Sequence, residues 1–124
     1  MVEVNIFNYF TSVQEGEESS ITAGLRELKE ETGYVAKGVL LSSSGRQPSM
    51  PSRLNDVTRH IVADVDGDAH INVHPKQQLD DAEISKVVLI KGSELLPTIQ
   101  SLEKEIDIAS NVYTFALGYA MHSL

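Results

Sequence analysis

The sequence predicts a mixed α/β layer domain, and three observations carry that prediction. Stretches rich in alternating or continuous apolar residues, Val2–Phe10, Tyr34–Leu41, Asp56–Asp64 and Ile84–Ile90, read as strands. Between the first two lies a helical pattern with serines before it and a glycine after it. Two further helical patterns close the chain, so the order is strand, helix, several strands, helices, which is that of a layered α/β architecture.

Val2–Phe10 (VEVNIFNYF) places Val2, Val4 and Ile6 on one face of a strand, with Phe7 and Tyr9 on the other. Thr11–Glu18 is an acidic connector with Gly16 as its turn residue. Ser19 or Ser20 caps the next helix, which runs from about Ser20 to Thr32 with Ile21, Leu25 and Leu28 as its apolar stripe. Gly33 fits the left-handed position just past a helix end. Tyr34–Leu41 returns as a strand, with Gly38 as the candidate bulge. Ser42–Asn55 holds prolines, a glycine and five serines, and reads as a long loop without regular structure. Its Arg46 and Arg53 are candidate anion contacts, or simply solvated surface arginines.

The strand Asp56–Asp64 carries His60, read as structural, and Asp66-Gly67-Asp68 signals a turn. His70 and His74 lack a third ligand at zinc spacing. An acidic loop, Leu79–Glu83, precedes the strand Ile84–Ile90. A short helix follows from Ser93 to Leu102, with Pro97 placing its regular start near Leu96. A closing helix over Ile106–Met121 puts Ile108, Val112, Phe115 and Tyr119 on one face.

The 124 residues make one domain, 1–124, with enough chain to bury a core. No cysteine is present, which excludes disulfides, thiolate chemistry and cysteine-ligated zinc. No run has the ~18 apolar residues of a membrane span, and no secretory signal is visible. The expectation is a soluble protein of the cytoplasm, or of cytoplasm and nucleus. A net charge of −8 disfavours nucleic acid and anionic membranes as partners. It also repels phosphate esters, unless cations neutralise the site first.

That condition points to the helix. Glu27, Glu30 and Glu31 stand at i, i+3 and i+4, so all three share one side. Like charges so spaced cost a few tenths of a kcal/mol per pair, and a cation among them reverses the sign. Arg26 can pair with Glu30 one turn on and offset part of the repulsion. A hard divalent ion such as Mg²⁺ takes oxygen ligands and commonly shares its shell with substrate phosphates. The residues themselves therefore suggest a metal-loaded helix acting on a diphosphate, against the plainer reading of an acidic surface helix.

The run from Arg26 to Tyr34 (RELKEETGY) resembles the second half of the Nudix box. That box reads Gly, five residues, Glu, seven residues, Arg-Glu, an apolar residue, any residue, Glu-Glu, any residue, Gly and an apolar residue. Glu18 stands where the box has its first glutamate, and Ser12 where it has its first glycine. The segments RHIVADVDGD, LDDAEISKVVLI and IDIASNVYTFALGYA look like the middle strand, acidic loop and closing helix of the ADP-ribose pyrophosphatase (ADP-sugar diphosphatase) branch.

The resemblance implies a Nudix-type α-β-α sandwich with a mixed sheet, lacking its N-terminal strands. It implies Glu27 and Glu31 as principal metal ligands, Glu30 as a further carboxylate, and Mg²⁺, or Mn²⁺ in its place, as cofactor. Arg26 would orient carboxylates, acting through Glu18, and Glu83 would be the general base for the attacking water. The substrate implied is a nucleoside diphosphate sugar such as ADP-ribose, cleaved to AMP and ribose 5-phosphate, and a homodimer is the implied assembly. In the family, a region before this chain's first residue builds the dimer and part of the adenine pocket. The Ala-Gly of the family's Pro-Ala-Gly-Leu turn aligns on Thr11-Ser12, and its Asp-Pro-Gly-Leu loop reads PSRL at Pro51–Leu54 here. These departures leave open a second reading, a Nudix-fold remnant that binds nucleotide or a partner protein without turnover.

Overall fold

The computed structural model describes residues 3–11 through their backbone, and 19–45, 47, 48, 52, 57–82 and 86–124 in full. Its contacts divide into two compact units, Met1–Ser85 and Lys86–Leu124.

The first unit is a small sheet with one helix. Its strands are β1 (Glu3–Thr11), β2 (Gly38–Ser42), β3 (Gln47–Pro48) and β4 (Val57–Val65), and its helix is α1 (Ser20–Thr32). β4 is central. It pairs with β1 along its full length, from Glu3 opposite Val65 to Thr11 opposite Val57. It also pairs with β2 over Ile61–Asp64 and with β3 over Val57–Thr58. Every described pairing is antiparallel, where a mixed sheet was expected. The class is α/β as read from the sequence.

β4 earns its central place through alternation. Ile61, Ala63 and Val65 are buried while the residues between them are part-exposed, so one face of the strand supplies the core. Leu28 of α1 joins Ala63 and Val65 in that core, with Leu25, Tyr34 and Ala36 packed around it. Across the strand from this face, Asp64 forms an ion pair with Lys37 at 3.3 Å.

Several expectations need correcting. The strand over Tyr34–Leu41 is confined to Gly38–Ser42, and the register shift lies between Val39 and Leu41, not at Gly38. The loop Ser42–Asn55 contains the two-residue β3, because Gln47 and Pro48 reach an open stretch of β4. In the second unit, residues 86–90 of the expected strand form no regular element, and 84 and 85 lie outside the described residues. A strand needs a neighbour to satisfy its backbone; none of the described strands pairs with this stretch, and Val88 and Leu89 stand exposed.

That second unit is a helix pair. A 3₁₀ turn at Gly92–Glu94 leads into α2 (Leu95–Leu102), with Pro97 inside its first turn, where no helical N–H is lost. α3 spans Ser110–Met121, four residues shorter at its start than Ile106–Met121, because Ala109 is extended and ends the approach (φ −57, ψ 136). Its buried residue is Ala116, not the predicted face. Val112 and Tyr119 are substantially exposed, while Phe115 and Tyr119 pair their rings at 5.9 Å. An almost wholly apolar helix does not declare a face by hydropathy. Among the described residues, no helix is long and apolar enough to cross a membrane.

Candidate functional site

The candidate site is built on α1, whose ends are set by local chemistry. Ser19 is extended (φ −66, ψ 149), and its hydroxyl accepts from the Thr22 N–H at 3.2 Å, the arrangement of an N-cap. Gly33 ends the helix in the left-handed region (φ 78), donating its N–H to the Lys29 carbonyl at 2.8 Å. Both ends fall where the sequence put them.

The helix faces the sheet with small residues. Ala23, Gly24 and Leu28 are buried, while Ile21 is 38% exposed. A Cβ on Gly24 would come within 2.5 Å of Ile61 Cδ1, so α1 approaches β4 as closely as a glycine allows. Of the expected Ile21–Leu25–Leu28 stripe, Leu28 is in the core and Leu25 packs against it, while Ile21 is exposed.

It also fixes where the carboxylates point. At about 100° per residue, Glu27 and Glu31 fall on the same arc as Ala23 and Gly24, with Glu30 at its margin. Thr22, Arg26 and Lys29 take the outer side and are exposed. Glu27 and Glu30 keep side-chain exposures of 27% and 36%, and Glu31 is likewise intermediate. Glu27 and Glu31 therefore lie on the side of the helix turned toward the sheet while staying part-exposed, and Glu30 lies at the edge of that side.

Arg26 organises two of the three. Its Nη1 lies 3.0 Å from Glu27 Oε1 and 3.0 Å from Glu30 Oε2. The pairing with Glu30 is the one expected from spacing; that with Glu27 is additional. Glu18 and Glu83 lie outside the described residues. Among the described residues, no group of three or more His, Asp or Glu side chains converges as a metal site. The donor chemistry nonetheless suits a hard divalent ion: carboxylate oxygens only, three on one helix, with a guanidinium fixing two of them.

Three residues around α1 escaped sequence reasoning. Asn72 is 3% exposed, accepts from the Val35 N–H at 2.8 Å, and donates to the carbonyls of Val35 and Asp66 at 3.1 and 2.8 Å. Gln77 Nε2 donates to the Glu31 carbonyl at 2.7 Å, and the Gln78 N–H to the Glu30 carbonyl at 2.6 Å. No local signal announces them, since their partners lie far away in the chain. The histidines His70 and His74 are exposed, and the backbone of His60 exchanges hydrogen bonds with Ser43.

No family model matches the chain. Curated proteins do. A fission yeast (Schizosaccharomyces pombe) protein described as an uncharacterized Nudix hydrolase is 40% identical over 107 residues, 84% of this chain and 50% of that protein. A Caenorhabditis elegans putative nudix hydrolase is 37% identical over 102 residues, 82% of this chain and 45% of that protein. A mouse ADP-sugar pyrophosphatase is 33% identical over 108 residues, 86% of this chain and 48% of that protein. The chain spans about half the length of the curated relatives it matches.

Proposed function

The chain belongs to the Nudix hydrolase family, and on that premise we propose that it serves divalent-metal-dependent hydrolysis of the diphosphate bond in ADP-ribose or a related ADP-sugar. The products would be AMP and a sugar phosphate. The observation that carries the reading is the carboxylate face of α1, turned toward the sheet side and set by Arg26. The mouse relative, an ADP-sugar pyrophosphatase, supports the substrate class. The finer architecture we propose is the α-β-α sandwich of the family.

In this reading Glu27 and Glu31 hold the metal, with Glu30 as a further carboxylate and Glu18 in support. Mg²⁺, or Mn²⁺, would polarise the phosphate oxygens and offset charge on the leaving group. Arg26 holds the Glu27 and Glu30 carboxylates in place, and Glu83 takes the proton from the attacking water. The water oxygen joins phosphorus as the bridging P–O bond breaks, and the sugar phosphate leaves with its electron pair. We extend the proposal to a homodimer acting in the cytoplasm, with the nucleus as a second location.

A non-hydrolytic domain that binds nucleotide or a partner protein is the second reading, favoured by the lack of three converging His, Asp or Glu side chains among the described residues. Incubation with ADP-ribose and Mg²⁺, followed by chromatography for AMP, separates the two. AMP release that disappears in Glu31→Gln, with circular dichroism unchanged, is the expected result. Well-folded wild-type protein that releases no AMP would overturn hydrolysis of this substrate.

A further inference from the structure

The last carbonyls of a helix have no partner within it and must find one elsewhere. In α1 those are the carbonyls of Lys29, Glu30, Glu31 and Thr32, and two belong to candidate metal-binding residues. Lys29 is served by the Gly33 N–H, the usual left-handed cap. Glu30 and Glu31 are served by a distant segment: the Gln78 backbone N–H bonds the Glu30 carbonyl at 2.6 Å, and the Gln77 side-chain amide bonds that of Glu31 at 2.7 Å.

The segment lies flat against the cap. A Cβ on Gly33 would run into backbone atoms of Pro75 and Lys76, so the glycine serves close approach as well as its φ of 78. The start of the segment is anchored independently. Buried Asn72 holds both backbone groups of Val35, just beyond the cap, and the carbonyl of Asp66 beyond β4. Residues 72–78 thus run from a buried anchor to the two carbonyls.

We propose that Asn72–Gln78 is a brace that positions the Glu30 and Glu31 carboxylates for a divalent ion, with Gln77 as its positioning side chain. The inference rests on the metal-binding reading above. A carboxylate reaches its ligand position through its own Cα, and metal–ligand distances tolerate errors of only about 0.2 Å. Fixing the carbonyl of Glu31 fixes the peptide plane next to that Cα. Gln77 bonds the backbone from which the Glu31 carboxylate projects, in the way outer partners set ligand geometry elsewhere.

The probe is Mn²⁺, its uptake followed by electron paramagnetic resonance on the full chain, beside urea unfolding of each variant. Gln77→Met keeps the length of the side chain and removes its donor. Its Mn²⁺ affinity is expected to fall about tenfold, the lower end for outer-partner changes at metal sites. Thr32→Ala is the control, because it deletes two helix-end bonds, from Thr32 Oγ1 to the Leu28 carbonyl and from the Tyr34 N–H to Thr32 Oγ1, that involve neither Glu30 nor Glu31. Its affinity is expected to stay within twofold of wild type, however far its urea midpoint moves. Equal affinity losses in the two variants would reduce the brace to general helix support and overturn the proposal. Wild-type uptake with unchanged affinity in Gln77→Met would overturn it alone, and wild-type protein that takes up no Mn²⁺ would overturn the metal reading and the brace with it.

Discussion

Replacing Gly24 with alanine sets two opposed effects against each other, and the structure says how to separate them. Alanine in a helix interior is favoured over glycine by about 1 kcal/mol. Against that, the new methyl would sit 2.5 Å from Ile61 Cδ1, far inside the 3.5–4.0 Å optimum for carbon pairs. Overpacking of this kind costs about 1–3 kcal/mol, and the lower part of that range applies because Cδ1 ends a flexible side chain. Gly24→Ala should therefore be neutral to destabilising by about 1 kcal/mol in the wild-type background. Ile61→Val removes Cδ1, and the next atom, Cγ1, lies at an ordinary 3.8 Å. Alone it costs about 0.5–1.5 kcal/mol, since Ile61 is buried. In its presence Gly24→Ala should become stabilising by about 1 kcal/mol. Urea unfolding of the four proteins, followed by circular dichroism, gives the cycle, with an expected coupling of about 1–2 kcal/mol. Identical effects of Gly24→Ala in both backgrounds would refute the contact, and with it the rotation of α1 that turns Glu27 and Glu31 toward the sheet side.

Two further outcomes follow from other contacts, one in each unit. Asn72→Ala strips the Val35 N–H and the carbonyls of Val35 and Asp66 of their partner inside a part-buried site. It should destabilise the protein by about 2–4 kcal/mol, measured by urea unfolding. In the second unit, partial burial and the adjacent Glu103 carboxylate hold the Tyr113 hydroxyl above its ordinary pKa, with an opposing hydrogen bond from Gln100. A raised folded-state pKa means the folded form binds the proton more tightly. The contribution is therefore complete below roughly pH 10, the unfolded value, and is lost as pH rises through the folded one. An alkaline absorbance titration should find a late-ionising tyrosine that vanishes in Tyr113→Phe.

What the sequence made legible was whatever depends on near neighbours. The cap at Ser19 and the stop at Gly33 act over three or four residues, so their residue types announce them. The shared side of Glu27, Glu30 and Glu31 follows from helix period alone. Which way that side turns does not, because hydropathy weights Ile21 above Ala23 and Gly24, while close packing of α1 on Ile61 favours the small residues. Long-range polar pairs were invisible: Asn72 meets Val35 across 37 positions and Gln77 meets Glu31 across 46. The segment ISKVVLI shows the opposite failure. Its composition suits a strand, yet composition cannot supply the neighbouring strand that residues 86–90 lack among the described elements.

Placing a set of carboxylates requires control of the helix about its axis, of its position along that axis, and of the side chains themselves. α1 has a separate device for each. The Gly24–Ile61 approach sets rotation, since any side chain at position 24 would have to displace Ile61 Cδ1. Bonds from Gln77 and Gln78 to the carbonyls of Glu31 and Glu30 fix the axial position of its end. Arg26, bonded at 3.0 Å to both Glu27 and Glu30, fixes two of the three side chains. Most helical stability comes from tertiary packing of one face, and the last carbonyls need partners in any helix. The guanidinium on its flank adds little to folding, as surface ion pairs contribute about 0–1 kcal/mol. On the metal-binding proposal these contacts also position the glutamates, and metal affinity, more than unfolding, is where their removal should register.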